Sequence, residues 1–302
     1  MDPLHVVTAI ANPIRWQSRT RLYRQFEEHM LDSGVRLTVV ECAYGDRPHE
    51  FADSPHITHV PVRARSLLWT KENLLNIGLG RLPQDWCHAA WIDADVTFRR
   101  PDWATETVHA LQQYDLVQPW SDCFDLGPND EFLQVHRAFC RQAHDGAPIA
   151  STAYTFAHPG YAWAATRRAL TLLGGLIETA ALGAGDHHMA LALLGRVRES
   201  VPESMCDGYL RPLLRWQDRA SQHIAGNIGY VAGSIEHDWH GAKAKRAYID
   251  RWSTLLRNQF DPEVDLIRNT WGVLELAGNK PQLRLDIDRY FRTRDEDSNS
   301  LG

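Results

Sequence analysis

Hydrophobic positions in the first 120 residues follow two alternating rhythms. Short apolar, β-branched runs read as strands: Leu4–Ile10, Val35–Cys42, Ile57–Val62, Ala89–Asp93 and Leu116–Trp120. Between them the apolar positions take helical spacing. Arg19–Leu31 carries Leu22, Phe26 and Met30 on one stripe, with Tyr23 beside it. Trp69–Ile77 carries Trp69, Leu74, Leu75 and Ile77, and Ala104–Gln113 follows as another helix. Turn chemistry separates the runs: Gly45-Asp46-Arg47-Pro48 after the second strand, Pro61 and basic residues stopping the third, Gly78 and Gly80 breaking the Trp69 helix. Strand alternating with helix predicts an α/β fold with a mostly parallel central sheet and flanking helices.

After residue 120 the rhythm changes. Ser121–Ser151 is polar and reads as loop with a short helix, and Thr155–Ala165 is rich in aromatic residues. Leu182–Gly185 is a glycine-rich turn opening an apolar helix, Met189–Leu194. Gly208–Ala225 and Ala242–Leu256 read as helices, the latter rich in Lys and Arg with Tyr248 and Trp252 on one face. Arg292–Gly302, with Asp295-Glu296-Asp297-Ser298-Asn299-Ser300, has the composition of a disordered tail. No repeat and no linker interrupts the chain.

Composition narrows the class. The 302 residues are 44% hydrophobic and 23% charged, ordinary for a globular chain with a large core. A net charge of -6 gives no global basic field for nucleic acid. Local clusters remain (Arg63 with Arg65, Arg99-Arg100, Arg167-Arg168, and Lys243, Lys245 and Arg246) that leave room for a phosphate-bearing ligand. Five scattered cysteines without a C-x-x-C pair point to free thiols in a reducing compartment. No run approaches the ~20 apolar residues of a membrane span, and no basic, apolar leader precedes Leu4–Ile10. A soluble, cytoplasmic protein is the expectation.

Four clusters carry candidate chemistry. The first is Asp93-Ala94-Asp95, two carboxylates ending the apolar run Ala89–Ile92. Ligands of open α/β sheets bind at the carboxyl ends of strands, and paired carboxylates there suit Mg²⁺ or Mn²⁺. The second is Gly183-Ala184-Gly185-Asp186-His187-His188, where glycines admit a ligand close to the backbone and Asp186 sits near a helix start, as a cap or as a functional acid. The third is Glu236-His237-Asp238-Trp239-His240, able to give imidazole to the same metal. The fourth is His158-Pro159-Gly160-Tyr161-Ala162-Trp163, either core packing or a surface for an apolar ligand face.

Taken in order, the βα half, Asp93-x-Asp95, Gly160-Tyr161-Ala162, Gly183-x-Gly185-Asp186 and His237-x-x-His240 resemble the GT-A glycosyltransferases over roughly residues 4–257. The resemblance implies a GT-A domain over 1–257, with a nucleotide-sugar half at 1–120 and an acceptor half at 121–257, and a helical extension and tail over 258–302. It implies Mn²⁺ or Mg²⁺ on Asp93, Asp95 and His240, or failing that His237, with Asp95 the more direct ligand, and Asp186 as the base of an inverting transfer. Gly185 stands where the family pattern has Glu. Donor contacts are implied at Ala11, Asn12, Arg15, Asp46, Lys71, Asn73 and Ala94. Acceptor contacts are implied at Tyr161, Trp163, Gly185, His187 and His237. The donor would be a nucleoside-diphosphate sugar, UDP-linked by prior. The acceptor hydroxyl stays open among glycan, small molecule, protein and a hydroxymethylated nucleic acid base.

Asp93-x-Asp95-x-Thr97 also matches the D-x-D-x-T of haloacid-dehalogenase-like phosphatases, with Asp93 as nucleophile. That motif usually opens such a domain, whereas three strands come first here. The late Gly-Asp-x-x-x-Asp is absent as well, because Ala190 follows Gly185-Asp186-His187-His188-Met189. A non-catalytic nucleotide-sugar-binding protein is the remaining alternative.

Overall fold

A computed structural model describes residues 3–149, 157–242 and 250–299. The chain opens with β1 (His5–Ala11), α1 (Gln17–Asp32), β2 (Arg36–Tyr44), β3 (Ile57–Ala64), α2 (Lys71–Leu79), β4 (His88–Ile92), β5 (Val96–Phe98) and α3 (Trp103–Ala110). Then come β6 (Leu116–Gln118), β7 (Asp122–Leu126), β8 (Phe132–Arg137), α4 (Phe139–His144), β9 (Ala162–Thr166), α5 (Arg167–Leu173), α6 (Gly185–Leu193) and α7 (Asp207–His223). The C-terminal part holds β10 (Ile228–Tyr230), β11 (Ser234–His237), α8 (Asp250–Arg257), α9 (Pro262–Asp265), β12 (Leu266–Arg268), β13 (Leu274–Leu276) and α10 (Pro281–Thr293).

The expected α/β architecture is present. A seven-stranded sheet runs β10-β6-β9-β4-β1-β2-β3, parallel except for β9, which lies antiparallel to both β4 and β6. Alternate side chains feed two cores, one on each face. Val6, Ala90 and Ile92 join Tyr23, Phe26 and Met30 of α1 on one side. Val7, Ala89 and Trp91 join Leu74 and Leu75 of α2 and the α6–α7 pair on the other. Burial on both faces explains why these strands read as continuous apolar runs.

Several expectations need correction. Pro61 does not stop β3 but lies within it, because β3 is an edge strand that hydrogen-bonds only to β2 and a missing N–H can face outward there. Gly78 does not break α2. It lets the helix approach the sheet: a Cβ there would sit 2.5 Å from Val7 Cγ1 and 2.7 Å from Val40 Cγ2. Ser121–Ser151 is not mainly loop. It supplies the β7–β8 hairpin to a second sheet ordered β5-β11-β7-β8. Helix α8 is described from Asp250, and Lys243, Lys245, Arg246 and Tyr248 lie outside the described residues. The region after 258 is not purely helical, since β12 and β13 form a hairpin.

The tail is not a solvated appendage either. Glu296 is 2% exposed, Asp297 accepts the Gln17 and Ser18 amides at the start of α1, and Ser298 O accepts the Trp239 indole N–H. The described arginine clusters are already engaged. Arg99 pairs with Glu236, Arg100 with Asp102 and Arg168 with Asp115, while Arg63 donates to the Gly45 and Arg47 carbonyls. The five cysteines are free thiols, and no described helix is long and apolar enough to cross a membrane.

Gly78→Ala tests the packing of α2. A helical alanine gains up to ~1 kcal/mol in propensity over glycine, but two stiff β-branched valines would have to yield. Overpacking typically costs ~1–3 kcal/mol, so the urea midpoint is expected to fall with an unchanged slope. A raised midpoint would contradict the close approach.

Candidate active site

Register builds the site. The C-terminal ends of β1 and β4 meet at one sheet edge, where the buried Thr8 hydroxyl donates to Ile92 O at 2.8 Å and fixes the last residue of β4. Asp93, Ala94 and Asp95 follow directly. Because β9 is antiparallel to β4, its entry residues Gly160 and Tyr161 arrive at the same edge, and Asp93 N–H donates to Tyr161 O. In the second sheet β11 lies between β5 and β7, pairing His237 with Val96 on one side and with Asp125 on the other. This places His237 beside Asp95.

Asp95, His237 and His240 form the candidate metal centre. Asp95 Oδ2 lies 3.2 Å from His240 Nε2 and 3.8 Å from His237 Nε2, and the two nitrogens are 3.3 Å apart. Among the described residues this is the His/Cys/Asp/Glu group compact enough to hold an ion. Donors on a metal with bonds of about 2.1 Å are separated by about 3.0 Å at right angles and about 3.4 Å in a tetrahedron. The two shorter separations fall between those values, and the Asp95–His237 separation of 3.8 Å lies beyond them.

The outer partners fit the same role. His237 Nδ1 is 2.8 Å from Asp125 Oδ1. An ionised carboxylate only accepts, so Nδ1 carries the proton and Nε2 offers its lone pair to the cluster. Asp125 is 2% exposed and also accepts from Gln134 Nε2, His136 Nε2 and the Tyr161 hydroxyl. His240 Nδ1 faces Glu296 Oε2 at 3.7 Å.

A second cluster lies beside the first. Trp69 bridges to Leu182 as a one-residue parallel ladder, which sets the start of α2 against the start of α6. Lys71 Nζ donates to Asp93 Oδ1 at 3.0 Å and lies 3.9 Å from both Asp186 Oδ2 and Glu72 Oε1. Burial opposes the ammonium charge, but Asp93, Asp186 and Glu72 outweigh it and raise the Lys71 pKa. Burial pushes Glu72 up to about 7, with the Lys71 charge opposing the rise. Burial also pushes Asp186 upward, yet Lys71 and the His187 amide overcome it and hold the carboxyl below its ordinary value. Asp186 is therefore an anion at neutral pH. It is not the cap of α6: Ala184 occupies that position at φ 83 without a side-chain bond, and Asp186 Oδ1 accepts the amide of His187. Gly160 makes space for it, since a Cβ there would meet Asp186 Oδ2 at 2.8 Å.

Both clusters face one cleft of about 330 Å³, within the range of small-molecule sites. Ala11, Ala94 and Tyr161 line it, as do Trp69, Tyr290, Arg19, Arg251 and Arg294. The Tyr161 backbone is left-handed at φ 72, which aims its ring flat against His158 at 4.1 Å. Strained backbone of this kind gathers at functional sites.

The structure separates the two aspartates of the first motif: Asp95 joins the histidines, whereas Asp93 is held by Lys71. His237 lies with Asp95 and His240 in the candidate metal cluster. Several other expected contacts are structural. Asn73 is 1% exposed, donates to Glu178 and Gly272 O and accepts the Leu274 amide, which ties α2 to the β12–β13 hairpin. Trp163 is core, its indole donating to Pro159 O. Gly185 lets α6 pass against the Glu72 carboxyl, and His187 does not line the cleft. Asn12 braces Trp16 through two hydrogen bonds and lies with Arg15 on a separate, shallower depression. Asp46 is exposed in its loop. Sequence reasoning missed Arg19, Trp69, Glu72, Asp125, His136, Arg294 and Glu296. The adjacency of Trp69 and Glu72 to Lys71 was a usable signal; the others depend on long-range pairing.

No protein-family model matches the sequence, and no curated protein matches it. Solved structures show a distant likeness. Glucosyl-3-phosphoglycerate synthase from Mycobacterium tuberculosis, in complex with Mn²⁺, UDP and phosphoglyceric acid, is 13% identical over 91% of this chain and 80% of its own, with a TM-score of 0.41. The catalytic domain of Drosophila β1,4-galactosyltransferase 7, in complex with xylobiose, is 12% identical with a TM-score of 0.37, and this chain spans 62% of its length. The 4-diphosphocytidyl-2C-methyl-D-erythritol synthase from Anaerococcus prevotii is 12% identical over 76% of this chain and 89% of its own, with a TM-score of 0.35. Scores and identities of this size assign no substrate or reaction to this chain.

Asp95→Ala and His240→Ala are expected to abolish saturable Mn²⁺ binding, read from the free Mn²⁺ signal in electron paramagnetic resonance. Asp125→Asn removes the acceptor that fixes the His237 tautomer and is expected to weaken binding roughly 10–100-fold. Unchanged affinity in all three would place any metal elsewhere.

Proposed function

We propose that the chain is a GT-A-type glycosyltransferase, moving a sugar from a nucleoside-diphosphate donor to an acceptor hydroxyl with divalent-metal assistance. One observation carries the reading: a two-histidine, one-carboxylate centre and a separate ionised carboxylate, Asp186, face the same cleft at the carboxyl edge of a mostly parallel sheet. Asp95, His237 and His240 would hold the ion. Two imidazoles beside one carboxylate suit Mn²⁺ better than Mg²⁺, which prefers oxygen donors. Bound there, the cation supplies positive charge to the diphosphate as its bond to the sugar breaks.

The remaining groups divide the work. Asp186 accepts the proton of the acceptor hydroxyl as the new carbon–oxygen bond forms and the diphosphate departs from the opposite face, which inverts the anomeric centre. A positioned base contributes roughly 10²–10⁴-fold. Lys71 holds Asp93 and Asp186 together against their repulsion, and Asp93 is placed to accept hydrogen bonds from sugar hydroxyls. Tyr161 closes one wall of the cleft. Ala11 and Ala94, without bulk, leave space at the sheet edge for the donor.

Asp95 lies between two imidazoles and acts here as a ligand, which does not suit the acid/base role of the phosphatase reading. The donor set itself favours one other chemistry, that of non-haem iron enzymes with two histidines and one carboxylate. Dioxygen uptake by the Fe²⁺-loaded protein would support that reading; Asp186 and Lys71 have no part in it.

A screen of nucleoside diphosphates with Mn²⁺ is expected to raise the thermal midpoint for the matching base, since a ligand at about 100 Kd adds about 2.7 kcal/mol. With the donor found, Asp186→Asn should lose at least ~10²-fold in transfer while keeping Mn²⁺ and nucleotide affinity. Full turnover in that variant would overturn the assignment of the base.

A further inference from the structure

We infer that the segment after α10 completes the metal centre, with Glu296 as the positioning residue of His240. The inference rests on the metal reading above. Glu296 is 2% exposed although it lies in a strongly charged, polar stretch. Arg19 grips it through Nε at 2.7 Å and Nη2 at 2.9 Å, and Arg294 donates to Oε1 through Nε at 2.9 Å. These bonds fix the carboxylate, leaving Oε2 directed at His240 Nδ1 at 3.7 Å. That is an ion-pair distance, about 0.7 Å beyond a good hydrogen bond. Asp125 stands to His237 as Glu296 stands to His240. Each imidazole therefore has a buried carboxylate behind the nitrogen that faces away from Asp95.

The rest of the segment is anchored as closely. Gly241 takes φ 89, and a Cβ there would lie 2.3 Å from Asp295 O and 2.9 Å from Glu296 Cα, so the loop carrying His240 is packed against the backbone of the segment. Asp297 holds the first amides of α1, where an anion is favoured by the helix terminus. Trp239, next to His240, donates to Ser298 O at 2.7 Å. The Arg19 and Arg294 guanidiniums both lie over the Trp69 ring, at 4.6 and 4.8 Å, which joins the segment to the cleft wall. Residues 294–298 are thus anchored to the His240 loop, to α1 and to Trp69 at once.

The test uses the full chain and Mn²⁺ alone. Glu296→Gln keeps the shape, removes the charge facing His240 and turns one of two acceptor oxygens into a donor, and should raise the Mn²⁺ Kd roughly tenfold. Asp297→Asn, which touches neither histidine, should leave the Kd within about twofold. If wild type binds Mn²⁺ and Glu296→Gln binds it equally well, the positioning role is overturned while the metal site stands. If wild type does not bind Mn²⁺ at all, the metal reading itself fails. Should Glu296→Gln not fold, hydrogen exchange on wild type decides. Coupling is reciprocal, so saturating Mn²⁺ should slow amide exchange over residues 294–299 at least threefold, and unchanged exchange there overturns the proposal.

Discussion

The site depends on one pairing constraint, the position of β11 between β5 and β7. A strand four residues long aligns three side chains from distant parts of the sequence. Antiparallel pairing on one side sets His237 opposite Val96, immediately after Asp95. Parallel pairing on the other sets it opposite Asp125. Successive side chains on a strand point to opposite faces, so a one-residue slip would turn the imidazole away from both carboxylates. The apolar residue of β11 resists such a slip: Ile235 is fully buried, opposite Phe98 and Cys123. Core packing at Ile235 therefore fixes the ligand geometry at His237, two residues on and on the same face of the strand.

The second constraint is electrostatic. Glu72, Asp93 and Asp186 gather around Lys71 in a half-buried space where separate carboxylates would repel. A single ammonium makes the arrangement tolerable, and the differing fates of its neighbours show how local the balance is. Asp186 has Lys71 and a backbone amide and stays anionic; Glu72, deeper and with less compensation, is pushed to about 7. Strained backbone supports the same region, with Tyr161 and Ala184 both left-handed although neither is glycine. Conformations of that kind persist when surrounding structure dictates them.

Much of the fold was legible in the pattern of the sequence. Strands β1–β4 and β6 and the first three helices declared themselves because buried strands and amphipathic helices carry distinct periodicities, whereas the three-residue β5 did not. What failed was where tertiary context overrides local signals. Pro61 is tolerated because β3 is an edge, and Gly78 is retained because a helix crosses two valines; neither fact is visible along the chain. The β7–β8 hairpin was hidden because its burial inverts the usual pattern: Asp125 and His136 are buried while Phe132, Leu133 and Val135 are exposed. At the candidate site, motif order singled out Asp95, Asp186, His237 and His240, which the fold gathers around one cleft. Asp125 and Glu296 were not, since their role exists only through a pairing register and a docked terminus. Asn73 and Trp163 were misread because polarity and aromaticity do not distinguish a ligand contact from a buried brace.

The candidate metal centre draws on residues 95, 125, 237, 240 and 296, spread over some two-thirds of the chain. Such a centre has high contact order, and long-range closures come late in folding. During synthesis the seven-stranded sheet can form most of its pairings well before residue 296 is made, while the ion-binding end stays incomplete. A nascent chain is then a folded sheet without a finished centre. In the proposed centre, docking of residues 294–299 against α1 and the His240 loop is then the closing contact.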